Sequence, residues 1–158
     1  MPTKARKSRG NTHLYLVFSV AGADPVSAVA DPTDRLAEVK TAPFNSNAGT
    51  IDATNWDSGN WQEVIPNINS GSIPISANLV VDNTMVPKLY AAQQSGDAVR
   101  YYLVFGDKPG ASAKNLVVTG LSKVTAFNLN QGDMHELTAT LSINGQPTMS
   151  QGVSAFPT

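Results

Sequence analysis

The chain has 158 residues, two histidines, no cysteine and a formal net charge of -1, with 41% hydrophobic and 15% charged residues. That length accommodates one domain, and the lack of cysteine excludes both a disulfide framework and a thiolate zinc site, so folding in a reducing cytoplasm is expected. No apolar run approaches the roughly 20 residues of a membrane-spanning helix, so no membrane is expected, and the gathering of hydrophobic residues into periodic runs argues against general disorder.

In chain order, the first element is a basic arm, residues 1–11. Lys4, Arg6, Lys7 and Arg9 crowd it, whereas residues 11–158 carry seven basic and twelve acidic groups. The arm reads either as a solvated tail or as a segment that docks on an acidic neighbour or touches nucleic acid. A mildly acidic body would not by itself hold duplex DNA, because such affinity comes mainly from counterions displaced at phosphates. Thr12 to Val20 then alternates as a strand, Leu14, Leu16, Phe18 and Val20 opposing Tyr15 and Val17. The basic head and the run Leu14 to Val20 imitate a short signal peptide, but the alternation favours a strand. Ala23 to Asp34, with Asp24-Pro25 and Asp31-Pro32, reads as a loop.

Leu36 to Thr41 is a short second strand. From Ala42 to Asn60 runs a long connection rich in Asn, Gly and Ser, interrupted by a strand at Thr50 to Thr54; loops this long are usually functional. Trp56 and Trp61 flank the turn Asp57-Ser58-Gly59-Asn60 and read either as core pieces or as anchors against a neighbouring subunit. Trp61 to Ile65 is a strand ended by Pro66, and Asn67 to Gly71 turns the chain. From Ile73, alternation through Ile75, Ala77, Leu79 and Val81 leaves Ser72, Ser76, Asn78 and Asp82 on the other face.

At Asn83 the spacing becomes helical, predicting one helix over about residues 84–95. Asn83 or Thr84 caps it, Pro87 sits in its first turn, Met85, Leu89 and Ala92 share its packing face, and Gly96 stops it. Ala98 to Phe105 is a strand, Asp107-Lys108-Pro109-Gly110 a turn, and Leu116 to Leu129 a long strand bent at Gly120. Gln131-Gly132-Asp133 closes a hairpin into Met134 to Asn144. There Leu137, Ala139, Leu141 and Ile143 oppose Glu136, Thr138, Thr140 and Ser142. Beyond Gly145 periodicity ends, so residues 146–158 read as a C-terminal arm, and residues 12–145 as the single β domain.

No catalytic constellation emerges, and the chain is not expected to be an enzyme or to need a cofactor. His13 and His135 lie on separate strands without metal-site spacing. Asp52 and Asp57 lack the remaining ligands of a calcium loop. Gly106 to Lys114 lacks the Gly-Lys-Ser/Thr ending of a phosphate loop, and the Gly-x-Ser-x-Gly elbow is missing. Asn, Ser and Thr supply 40 residues, a surface that hydrogen-bonds without strong charge. Assembly through sheet edges and wet faces is the leading idea.

Arg35-Leu36-Ala37-Glu38-Val39-Lys40, Ile51-Asp52-Ala53-Thr54 followed by Asp57-Ser58-Gly59, the strand-to-helix passage around Asp82, and Leu141 to Thr148 together resemble the major tail tube protein of long flexible-tailed, siphovirus-type bacteriophages, over roughly residues 12–150. The resemblance implies a mainly β fold, a tail-tube-type β-sandwich or barrel with one flanking helix, a long loop and extended terminal arms. It further implies six copies in a ring, rings stacked into a virion tail tube that conducts double-stranded DNA, and assembly in the host bacterial cytoplasm with tape-measure and tail-tip or terminator proteins.

On that reading Lys4, Arg6, Lys7 and Arg9, with Phe44, Trp56, Asp57 and Trp61, are candidates for contacts between subunits or rings. Glu136, Thr138, Thr140 and Ser142 are candidates for the lumen, hydrated and uncharged except for a repulsive Glu136; the ribbon from Ser72 to Asp82 fits the lumen as well. Two other readings are a carbohydrate-binding β-sandwich using Trp56 and Trp61, and a tube or terminator protein of a related contractile or secretion system.

Overall fold

A computed structural model of the chain describes residues 12–18, 35–36, 38–59, 61–106 and 114–152. Its strands are β1 (Thr12–Phe18), β2 (Val39–Thr41), β3 (Asn45–Asp52), β4 (Val64–Asn78), β5 (Val99–Gly106), β6 (Asn115–Asn130) and β7 (Glu136–Gln151). Helix α1 (Met85–Ser95) joins β4 to β5, and a 3-10 turn at Trp56–Ser58 lies between β3 and β4. All strands pair antiparallel in one sheet of order β1-β5-β6-β7-β4-β2, with β3 also on β4. Among the described residues the fold is therefore mainly β with a single flanking helix, as the alternating runs predict.

The sheet wraps without closing. Arg35 bridges Tyr15 on β1, and the Leu36 amide donates to the Leu14 carbonyl at 3.0 Å. Two residues on, the Glu38 carbonyl accepts from the Asn78 amide at 3.1 Å, and Val39 pairs with Ala77 on β4. One short segment thus touches both edges. Glu38 takes φ 52°, the left-handed region that side chains other than glycine rarely adopt, at the corner where the segment leaves one edge for the other.

Period-two alternation sends Leu14 and Leu16 of β1, Ile73 and Ile75 of β4, Tyr101 and Leu103 of β5, and Leu137 and Leu141 of β7 into one core. Met85, Leu89 and Ala92, one stripe of α1, are buried in that core. Tyr90 on the same helix stacks at a tilt on Phe127 of β6, ring centroids 5.6 Å apart. The Asn83 side-chain oxygen accepts from the Met85 amide at 2.9 Å at the helix start. Gly96 closes the other end at φ 73°, donating its amide to Ala92. On the reverse face Tyr15, Tyr102, Val104 and Val117 form a second, smaller cluster, so β1 and β5 are dry on both sides. Burial pushes the Tyr101 hydroxyl up to about 12.

Three stretches differ from the pattern-based expectation. The connection from Ala42 is strand β3 over Asn45–Asp52; its Asn, Ser and Gly residues carry no apolar alternation, and its partner supplies the order through the ladder from Asn45 opposite Ser72 to Asp52 opposite Val64. Pro66 and Asn67 to Gly71 do not interrupt β4, which runs unbroken from Val64 to Asn78. Between the pairs Ala48 with Asn69 and Thr50 with Pro66 the register shifts, a bulge that accommodates proline in a strand.

The third stretch is the end of β7, which continues through Gly145 to Gln151. Its last residues pair with Leu116 to Thr119 of β6. Opposite Gly120, the register jumps from Thr119 with Thr148 to Leu121 with Asn144, and Gly145 takes φ 88° to allow it. The irregularity expected at Gly120 is thus accommodated by extra residues in β7. The basic arm, the loop from Ala23 to Asp34, the end of the first strand at Val20 and the turn at Asp107 to Gly110 lie outside the described residues.

Candidate functional site

Two surfaces remain once the core is assigned. The first is the reverse face of β4, β7 and the second half of β6. Cross-strand register places Ser72 opposite Ser142, Pro74 opposite Thr140, Ser76 opposite Thr138 and Asn78 opposite Glu136. On the other side of β7, Asn128 faces Thr138 and Lys123 faces Ser142. The two polar ribbons that the sequence offers as alternative lumen linings are therefore neighbours on one face. They are held as a sheet because Ile73, Ile75, Ala77, Leu137, Ala139 and Leu141 are buried behind them.

This face is a wall of hydroxyls and amides. The Thr125 and Ser142 hydroxyls lie 3.0 Å apart, and Thr125 stands at a second register shift, between Val124 and Ala126, which turns it toward Ser142. An open depression of about 290 Å³ lies here, lined by Pro74, Ser76, Ala126, Asn128, Thr138 and Thr140 among others. Glu136, expected to act as a free negative charge, is ion-paired with Lys40 of β2, while Lys123 is exposed on the same face. Glu136, Thr138, Thr140 and Ser142 thus come together.

The second surface is the tip of the β3–β4 hairpin. Asp52 accepts the Thr54 amide at 2.9 Å and the Thr54 hydroxyl, and the Gln62 amide at 3.3 Å. These bonds, led by the Thr54 hydroxyl and then its backbone amide, hold the Asp52 carboxyl below the usual carboxylate range. Across the loop the Ala53 amide donates to the Glu63 carbonyl at 2.8 Å. Asn55 accepts from the Asp57 amide at 2.8 Å while its own amide donates to the Ser58 hydroxyl at 3.1 Å, so the short 3-10 turn is capped in both directions.

This bonded loop holds Trp56 and Trp61 in water at 103% and 82% exposure, which disposes of the core reading for both. Ile51 and Ile65, directly opposite one another in the ladder, are also more than half exposed. Asp57 is exposed beside Trp56. Phe44, in contrast, packs against the main core and is separated from the tip by the length of β3. Alternation alone does not disclose the Ile51–Ile65 pair, because it assigns no partner to the strands expected at Thr50 to Thr54 and Trp61 to Ile65; taking the two as hairpin mates across the turn at Asp57 to Asn60 brings it out. Among the described residues, no group of three or more His, Cys, Asp or Glu side chains could hold a metal ion.

Residues 9–149 match the family model described as phage tail tube protein. The chain belongs to the phage tail tube protein family. No curated protein sequence matches it. Among solved structures, this tail tube protein is similar to a chain in the virion of a native gene transfer agent particle, with TM-score 0.68, 14% identity, and 92% of this chain and 99% of that one covered. A structure of the tail of the empty gene transfer agent particle, refined with helical C6 symmetry, has a chain matching at TM-score 0.68 and 15% identity, with 92% and 99% covered. The SPP1 tail tube matches at TM-score 0.61 and 13% identity, with 89% and 78% covered. At such identities the likeness carries the fold. Family membership makes the tail tube protein a structural subunit of a phage-type tail, and hence a virion component.

Proposed function

We propose that six copies of this tail tube protein close into a ring, that rings stack into a tube, and that the polar face of β4, β6 and β7 lines the channel through which double-stranded DNA leaves the virion. The observation that carries the reading is the low charge of that face. Duplex DNA carries one charge per roughly 1.7 Å of axis, so a lining rich in lysine or arginine would hold it. Here serine, threonine and asparagine predominate, Glu136 and Lys40 neutralise each other, and Lys123 opposite Ser142 adds one positive charge. The sixfold symmetry of the gene transfer agent tail supports the ring.

Open strand edges supply the lateral contacts. Beyond Ser72 and Ser142, β7 leaves β4 and continues along β6 alone, so among the described residues Val64–Gly71 of β4 has a neighbour only in β3. Identical copies around an axis can complete such edges by continuing the sheet from one subunit to the next. The subunit itself performs no catalysis; its partners are its own copies, a tape-measure protein and the tail-tip and terminator proteins, and it is made and assembled in the host bacterial cytoplasm. The basic arm with Lys4, Arg6, Lys7 and Arg9, and the hairpin tip with Trp56, Asp57 and Trp61, serve contacts between subunits. Phe44 serves them only indirectly, by fixing the hairpin base.

The test replaces Thr138, Thr140 and Ser142 together by lysine. Tubes of normal appearance by negative-stain microscopy, with DNA delivery reduced at least tenfold, are expected. Unchanged delivery from such tubes overturns the lumen assignment, and a wild-type protein that forms no rings or filaments at any concentration overturns the tube.

A further inference from the structure

The polar face carries one cation that its own neighbours do not neutralise. Lys123 of β6 is exposed and stands opposite Ser142 of β7. Lys40 is ion-paired with Glu136, whereas among the described residues no carboxylate pairs with Lys123. Register surrounds it on this face with Leu121, Thr125, Ser142 and Asn144, the last opposite Leu121, and all four are neutral. Arg100 of β5 also stands opposite Leu121, but its Nε donates to the Tyr102 hydroxyl at 3.0 Å and its guanidinium lies over the Tyr102 ring.

Hydrogen-bond donors gather around the same ammonium. The register shift between Val124 and Ala126 turns Thr125 onto the face, where its hydroxyl lies 3.0 Å from the Ser142 hydroxyl and 3.4 Å from the Thr140 carbonyl. A hydroxyl has a single proton to donate and can turn it. When Thr125 donates to Ser142, the Ser142 proton is turned outward beside Lys123. An ammonium with three donors, a pair of linked hydroxyls and the exposed Asn144 amide therefore share one level of the face. Such a set matches an oxygen-rich anion, since charge-assisted donors bind anionic oxygens more strongly than neutral ones do.

We propose that Lys123, Thr125, Ser142 and Asn144 form a phosphodiester-contacting subsite through which each subunit touches the passing duplex. The proposal rests on the lumen reading and names the residues that meet the cargo. Magnitude makes the contact a touch and not a grip. The fifteen residues of β4, at about 3.4 Å each, span about 50 Å, and over that length duplex DNA carries about 30 charges. Six lysines in a ring meet about one charge in five. A lysine is a hydrated point charge on a flexible stem, so it passes from one phosphate to the next without the bidentate lock of an arginine. Equal contacts disposed around the axis also keep the duplex centred while the rest of the lining stays uncharged.

To test the subsite, tubes assembled from the purified chain are mixed with a short fluorescent duplex oligonucleotide and sedimented over a series of potassium chloride concentrations. Wild-type tubes should retain the duplex at low salt and release it as salt rises, log affinity falling against log salt with a slope of about -0.9 per phosphate contacted. Lys123→Gln should reduce low-salt retention roughly tenfold and flatten that slope, and Lys123→Arg should preserve both. Thr125→Val/Ser142→Ala should lower retention by about two- to threefold at an unchanged slope, because neutral donors release no counterions. Wild-type retention by Lys123→Gln tubes overturns the subsite, as does an equal loss in Lys88→Gln tubes, whose changed residue lies on α1. Wild-type tubes that retain no duplex also overturn it, as does a Lys123→Gln chain that no longer forms tubes, which would make the lysine an assembly contact. The lumen reading is tested separately. The chain has no cysteine, so Thr138→Cys supplies a unique thiol. A small maleimide should modify it in free subunits and in tubes, whereas a maleimide on a polymer too wide for the channel should modify free subunits and spare tubes. Full modification of tubes by the wide reagent overturns the lumen and the subsite together, whereas sparing combined with unchanged retention by Lys123→Gln tubes removes the subsite alone.

Discussion

Gly71 stands where the hairpin separates from the body of the sheet, one residue before β4 begins to pair with β7. A Cβ at this position would lie 2.6 Å from the Ile143 Cδ1 and 2.8 Å from the Asn45 carbonyl oxygen. The isoleucine methyl is the end of a side chain that can rotate, whereas the carbonyl belongs to the backbone of β3 and can yield only if the ladder moves. Forced overpacking of this kind costs about 1–3 kcal/mol, and the lower entropy of an unfolded chain bearing alanine returns about 0.4–1 kcal/mol. Gly71→Ala should thus destabilise the protomer by about 1–2 kcal/mol, a fall in Tm of roughly 2–8 °C for a domain of this size. The assay is thermal and urea unfolding followed by far-ultraviolet circular dichroism at concentrations where the chain is dispersed. Ile143→Val, which removes the nearer methyl, should recover less than half of the loss in the double variant, because the carbonyl contact persists. Gly132→Ala, with its nearest atom at 3.6 Å, is the control and should leave stability unchanged. Wild-type stability for Gly71→Ala, or full rescue by Ile143→Val, would refute the argument that the hairpin base is fixed by backbone contact.

Leu89→Ala removes a side chain with no solvent exposure at the centre of the helix stripe and should cost about 2–5 kcal/mol in the same unfolding assay; a loss below about 1 kcal/mol would mean that α1 does not seal the core. Asp52 provides a pH prediction at the hairpin tip. Its depressed pKa means that the bonds from Thr54 and Gln62 favour the ionised carboxylate, so their ordering of the loop is complete above the ordinary carboxyl pKa and is lost as pH falls through the lower, folded value. The Thr54 amide resonance should titrate with a midpoint below 3.8, and a midpoint at or above that value would show that the loop is not held this way.

Strong periodicity made the core legible. Leu14 and Leu16, the alternate residues Ile73, Ile75 and Ala77, the Met85, Leu89 and Ala92 stripe, Val99, Tyr101 and Leu103, and Leu137, Ala139 and Leu141 are assigned to their faces by spacing alone, and all are buried. What spacing could not disclose was any strand whose order comes from its partner. β3 has no buried side chain, and local turn chemistry in Asn, Gly and Ser outweighed a pairing that only β4 supplies. Pro66 misled for a related reason: a proline ends a strand that needs every amide, but beside a bulge, with one ladder among the described residues, the missing donor is tolerated. Of the site residues, the polar ribbon of β7 follows from alternation, whereas the salt link between Lys40 and Glu136 joins residues 96 positions apart and is invisible without the register of β2. The two tryptophans were legible as a pair, but core and anchor became distinguishable only when the tip was seen to stand clear of the body.

Face and edge of one sheet carry different chemistry, and that separation allows the same strands to serve both requirements of the proposed tube. Backbone donors and acceptors point along the plane of the sheet, so pairing with a neighbouring copy at β4 or β7 consumes none of the hydroxyls projecting from Thr138, Thr140 and Ser142. Those hydroxyls bond water in the isolated subunit as well as in a wet channel, so the polar face gives copies no reason to stick before they are aligned. Among the described residues, the most exposed large apolar side chains are instead Trp56 and Trp61 at the hairpin tip and Val81 beyond the other end of β4. β4 connects the two functions physically: its residues 72–78 hold the polar face in register with β7, while residues 64–71 carry the hairpin beyond the body. A shift at the Gly71 junction would therefore alter the angle at which the hairpin tip leaves the body without changing a single side chain of the proposed lining.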